Sequence, residues 1–188
     1  WHLLRTTDEE KVGLISLEES VGDTAEKFIG MPINKRVGGE IPVTDKELRD
    51  GFEAVFKDER LILLDHQGSV DDSSLIDKIE YMALMGCKYL FLDHITIAVS
   101  EGSEGLSGNE AVDKVMSDLL KVVKKHNVWL GIVSHLRKSS GGAFEEGNMA
   151  SIDDIKGSGS IKQISFDIIA FSRNLGAANP ADRNKIEF

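Results

Sequence analysis

Tyr89-Leu90-Phe91-Leu92 is a short apolar run that ends abruptly in Asp93-His94. Val128 to Val133 does the same and ends in Ser134-His135, and Lys11 to Leu17 (KVGLISL) runs straight into Glu18-Glu19-Ser20. Each run reads as a buried parallel strand delivering a polar residue at the carboxyl edge of a sheet, the edge on which open α/β sheets bind ligands. An aspartate leaving such a strand can hold a magnesium ion over phosphates. A glutamate there can take the proton of a water attacking a phosphate. A histidine there can hydrogen-bond a terminal phosphate and respond to its loss. Asp93, Glu18 and His135 are therefore candidate catalytic residues for nucleotide hydrolysis, with Asp93 also the candidate magnesium holder.

Each has a plainer reading. A strand-end aspartate often caps the following turn, and a lone histidine is more often a packed side chain. Glu18 and Glu19 could simply favour a helix amino terminus, worth about 0.3 to 1 kcal/mol. What lifts the chemical reading is that several strand ends offer such groups at once. Two carboxylates facing one site would raise a pKa unless a divalent cation lay between them. His66 and His94 follow strand-end aspartates and read as packing residues or as supports behind the site. No histidine pair has helical ligand spacing or a cysteine partner, so a structural zinc is not expected. Arg137-Lys138-Ser139-Ser140-Gly141-Gly142 and Lys156-Gly157-Ser158-Gly159-Ser160 join cations to flexible residues that could grip phosphates. Taken singly, each is equally a surface loop. No G-x-x-x-x-G-K-[ST] phosphate cradle occurs in the 188 residues.

The elements that must position these groups alternate between strand and helix. Strands are expected over 11–17, 61–64, 88–93, 128–134 and 167–171. Residues 1–9 fit the end of a helix, and Ala25, Phe28 and Ile29 have helical spacing within 24–29. Residues 30–43 hold two of the three prolines and should form a loop. Thr44 with Glu47 forms a capping box ahead of Leu48, Phe52, Val55 and Phe56. Asp72 or Ser73 caps a helix bearing Leu75, Ile76, Ile79, Met82 and Ala83, and Gly86 ends it. Asn109 opens a long helix striped by Val112, Val115, Met116, Leu119, Leu120 and Val123. Ser151 to Ile164 reads as a turn and short helix. This alternation predicts an α/β domain, a mostly parallel sheet with helices on both faces. There is no internal repeat and no linker dividing the chain.

The length suits one domain with a sizeable core, and 41% hydrophobic residues mark a globular chain. A net charge of −10 argues against coating nucleic acid with the whole surface, though not against a narrow basic loop facing a strand. The single cysteine, Cys87, permits no internal disulfide. No apolar run is long enough to span a bilayer, and no secretory signal is visible. A cytoplasmic setting, in an infected cell, is the expectation, with no membrane partner.

Four blocks, KVGLISLEES (11–20), YLFLDHITIAVS (89–100), GIVSHLRK (131–138) and SIDDIKGSGSIKQISFDIIAFSRN (151–174), together resemble the hexameric replicative DNA helicases of bacteriophage. These form the helicase half of phage primase–helicases and are related to DnaB-type enzymes. The resemblance implies a RecA-like P-loop NTPase core that binds ATP or a dNTP with Mg2+ between neighbouring subunits of a ring, around single-stranded DNA. It implies that Glu18 activates water, that Asp93 is the Walker B aspartate acting on magnesium through water, and that His135 senses the γ-phosphate. Arg173 would pack on the nucleotide base. Arg137 and Lys138 fall in the central DNA-binding loop, and Lys156, Gly157, Lys162 and Gln163 in the last strand-contacting motif. Gly141 and Gly142 stand where the family usually shows lysines, which implies a weaker side-chain grip on DNA. The P-loop lysine lies upstream of Trp1 in the family, and the arginine finger lies beyond Phe188. The resemblance thus implies one core segment over 1–188, with other copies of itself, primase and polymerase as partners. A RecA-type recombinase-like ATPase, or a non-catalytic RecA-fold module binding DNA or a protein, are the alternatives.

Overall fold

In the computed structural model, which describes residues 1–65, 74–95, 108–136, 144, 150–155 and 159–187, the apolar runs pair as parallel strands. β1 (Lys11–Ser16), β2 (Leu61–Asp65), β3 (Cys87–Asp93) and β4 (Trp129–Ile132) form one sheet in the order β2-β1-β3-β4. Every ladder is parallel. The register sets Ser16 level with Asp65 on one side and Asp93 on the other. Three strands therefore end together.

Helices α1 (His2–Thr6), α2 (Val21–Ile33), α3 (Asp45–Phe56), α4 (Ser74–Leu84), α5 (Gly108–His126) and α6 (Gly159–Ile164) accompany the sheet. Side chains alternate across it, as strand geometry requires. Ile15, Leu90 and Leu92 face a core with Leu75, Ile79, Met82, Val112, Met116, Leu119 and Ile161, from α4, α5 and α6. Val12, Leu61, Tyr89 and Phe91 face a second cluster with Leu4, Phe28, Val55 and Phe56, from α1, α2 and α3. Both faces are covered, which is why the central strands read as near-continuous apolar runs. Glu80 of α4 accepts hydrogen bonds from Lys125 Nζ at 2.6 Å and His126 Nε2 at 2.8 Å, joining α4 to the last turn of α5. Among the described residues, no helix is long and apolar enough to cross a membrane.

The capping box at α3 forms as expected, with Thr44 Oγ1 accepting from Glu47 N and Thr44 N donating to Glu47 Oε2. Gly86 closes α4 with a φ of 90°. Expectations for three elements are corrected. α2 starts earlier than residue 24, capped by Ser20, whose Oγ accepts from Asp23 N at 3.1 Å. It also runs into the expected loop, carrying Pro32 in its last turn and ending on Asn34 in the left-handed region. β4 is shorter than 128–134, although Val133 N still donates to Leu92 O at 2.9 Å. The expected strand over 167–171 does not form; after α6 the chain makes only an isolated antiparallel bridge, Ser172 to Glu187. Phe166, Ile169 and Phe171 are exposed. An apolar run that finds no strand partner has no ladder to define it. His66, the Asp72 or Ser73 cap, Arg137, Lys138, Lys156 and Gly157 lie outside the described residues.

Candidate functional site

The carboxyl edge of the sheet gathers its polar residues by backbone pairing. Leu17 N donates to Asp93 O at 2.6 Å, carrying the β1–β3 ladder one residue past the strands. Glu18 therefore leaves β1 beside the end of β3. On the other side, Ile95 N donates to Val133 O at 3.0 Å, tying the residues after β3 to the exit of β4. His94 lies between these two anchors, and its neighbour Ile95 is buried in the core.

The three elements converge in a cluster of Glu18, His94 and His135. His94 is only 3% exposed. Its Nε2 lies 2.8 Å from Glu18 Oε1. A carboxylate only accepts, so in this pair the Nε2 carries the hydrogen. The His94 ring stacks on that of His135, with centroids 3.7 Å apart and planes inclined by 34°. Glu18 is half-exposed and His135 exposed, so the cluster opens to solvent from a buried base.

One donor atom from each of Glu18, His94 and His135 lies within 4.8 Å of the others. Two imidazoles and a carboxylate are the composition of a transition-metal site. The geometry favours hydrogen bonding instead. An imidazole nitrogen coordinates along its ring plane, and stacked rings do not aim those directions at a common point. The carboxylate is already at hydrogen-bond distance from His94. Magnesium, by contrast, takes oxygen ligands and keeps its waters. Asp93, Ser16 and Asp65, level at the strand ends, are oxygen donors of that kind.

Sequence reasoning placed Glu18, Asp93 and His135 at one edge. Glu18 and His135 meet through His94, and Asp93 precedes His94 in the chain at the end of β3. The residue that sequence reasoning undervalues is His94. It reads there as packing or support, whereas in the structure it contacts both partners. The available signal was its place directly after the strand-end aspartate. Arg173 is not in the cluster. It is exposed and lines a groove of about 340 Å³ with Ser172, Asn174, Asp182 and Lys185, which no cluster residue lines. Lys162, in α6, pairs with Asp153 of the preceding short turn, and Gln163 beside it is exposed.

No family model matches the chain. A DNA helicase/primase of Enterobacteria phage T3 is 35% identical over 172 residues, covering 88% of this chain and 30% of that protein. Among solved structures, a helicase ATPase domain superposes with a TM-score of 0.67 at 17% identity, covering 88% of this chain and 60% of that one. A DnaB-like replicative helicase, solved in a study of its interactions with primase, gives a TM-score of 0.62 at 17% identity over 83% of this chain and 39% of that one. The fold is therefore the RecA-like one of these helicase ATPase domains. The chain spans less than a third of the phage protein's length.

Proposed function

We propose, given that this chain is a relative of the phage DnaB-like replicative helicases, that it supplies the sheet edge on which a ring-shaped DNA motor hydrolyses ATP or a dNTP. The observation that carries this reading is the meeting of Glu18 and His135 at the end of β3, whose last residue is Asp93. Glu18 takes the proton of the attacking water, a role worth ~10² to 10⁴ in rate. His135, on the exposed side of the cluster, contacts the terminal phosphate. Asp93 would hold a magnesium ion through water, and that ion, when bound, would neutralise charge on the phosphates. Arg173 would pack against the base, its exposure leaving its planar guanidinium open to stacking.

Single-stranded DNA is the proposed track. Arg137, Lys138, Lys156 and Lys162 would meet its phosphates, with Gly157 and Gln163 supporting the last contact, in a ring of like subunits. Primase and polymerase are proposed partners in replication. Residues 1–188 are proposed to act as one unit of that motor, in the cytoplasm of an infected host.

The test is single-stranded-DNA-stimulated NTP hydrolysis by the protein encoded by the complete open reading frame. Glu18→Gln and Asp93→Ala should each lower kcat by ~10² to 10⁴ while leaving the thermal unfolding midpoint in place. Turnover that survives both substitutions would sink the hydrolytic reading and leave a RecA-fold binding module.

A further inference from the structure

We infer that His94 is a positioning residue that holds Glu18 in line for hydrolysis and joins it to His135; this rests on the hydrolytic reading of the site. The direction of the constraint follows from burial. His94 is 3% exposed, whereas the Glu18 side chain is 50% exposed. A buried imidazole needs a hydrogen-bond partner, and its own place is fixed by the packing around it. An exposed glutamate otherwise samples several rotamers. In a bond between the two, the fixed partner sets the position of the mobile one.

His94 is well fixed. Asp93 O before it accepts from Leu17 N at 2.6 Å, and Ile95 N after it donates to Val133 O at 3.0 Å. Ile95 is 1% exposed within the main core. The ring is therefore clamped between the continuations of β1 and β4, and one face meets His135 at 3.7 Å. Because Nε2 donates to Oε1, that carboxylate oxygen is oriented, and Oε2 is the oxygen that accepts the proton of water. A neutral donor also leaves the carboxylate more basic than a cationic partner would. The same ring, in contact with His135, makes the position of the base depend on that of the phosphate-sensing histidine.

The experiment uses the full-length protein with ATP, Mg2+ and single-stranded DNA. His94→Leu fills most of the ring's volume and removes the donor. It should lower kcat ~10- to 100-fold, the loss that a misplacement of about 1 Å brings, with the nucleotide KM within about twofold. His94→Gln, which restores an uncharged N–H, should recover most of that loss. In a Glu18→Gln background, His94→Leu should change kcat by less than about twofold, because the group it positions is already gone. Should His94→Leu fail to fold, His94→Met, with a flexible side chain that adapts to the same space, takes its place. Additive losses in the double variant, or wild-type kcat in His94→Leu while Glu18→Gln is inactive, would overturn the positioning role and leave the hydrolytic reading standing. Full turnover in Glu18→Gln would overturn that reading, and the role of His94 with it.

Discussion

Gly13 occupies the middle of β1, where a methyl group has no room. A Cβ built there would lie 2.6 Å from Met82 Sδ, 2.9 Å from Leu90 Cδ2 and 3.2 Å from Cys87 Sγ. All three neighbours are buried, so none can swing into solvent. Interiors are packed too tightly to absorb such an intrusion without moving strand or helix. Gly13→Ala should therefore destabilise the domain by ~1 to 3 kcal/mol, read as a lower urea midpoint at unchanged slope. A midpoint equal to wild type would show that α4 yields freely. The same apolar surroundings push the Cys87 thiol up to about 11, so it stays protonated at neutral pH. At this scale the sequence was legible where a residue's type and its place at a strand end agreed, as for Glu18, Asp93 and His135. It was less legible for His94, whose hydrogen-bond partner Glu18 is 76 residues away. No local pattern announces which distant carboxylate a histidine will meet.

Helix α3 shows what local sequence does specify. Thr44 and Glu47 sit three residues apart, and that spacing closes the capping box whatever the rest of the fold does. Lys35 Nζ adds a bond to Glu47 Oε1 at 2.7 Å, tying the turn after α2 to the start of α3. The Lys35 ammonium, followed by the Thr44 amide and hydroxyl, holds the Glu47 carboxyl at about 2, below its ordinary 4.5. The folded state thus binds this proton less readily than the unfolded chain. The contribution to stability is complete above pH 4.5 and is lost as pH falls toward 2. Glu47→Gln keeps an acceptor but not the charge. The stability gap between wild type and variant should shrink across that interval in denaturation curves taken stepwise from about pH 6 to about pH 2. A constant gap would show that the ion pair with Lys35 does not matter. Strands were legible where both faces are covered: β1, β2 and β3 each fall on the apolar run that suggested them. The run Ile168-Ile169-Ala170-Phe171 has the same composition, yet Ile169 and Phe171 are exposed and no ladder forms there. Composition states that a segment can pair; only the partner decides that it does. Helix α2 errs the other way. Pro32 suggested a loop, but it lies in the last turn, where few backbone bonds remain to break.

For the molecule as a whole, the alternation of strand and helix was enough to predict a parallel sheet covered on both faces, because a buried parallel strand and a crossover helix each need the other. The four-stranded order β2-β1-β3-β4 could not be read that way, since neighbours in the sheet are not all neighbours in the chain. What the sheet edge holds decides how much chemistry these 188 residues can perform alone. Glu18, Asp93 and His135 can act on water and a terminal phosphate. Nothing in the sequence has the G-x-x-x-x-G-K-[ST] pattern whose backbone amides cradle the phosphates. Arginine fingers, where other NTPases use them, supply ~10³ to 10⁵ in rate. In the proposed motor the finger would come from a neighbouring subunit. The isolated 188-residue chain should therefore turn over ATP at least ~10³-fold more slowly than the full-length protein, even with saturating single-stranded DNA. Steady-state phosphate release by the two proteins at equal chain concentration measures this. If the isolated chain matched the full-length protein, and Glu18→Gln did not abolish the activity, both the shared-site motor and the role of Glu18 would fail. If it matched and Glu18→Gln did abolish it, the base would stand, and the cradle would have to be built from this chain's own loops.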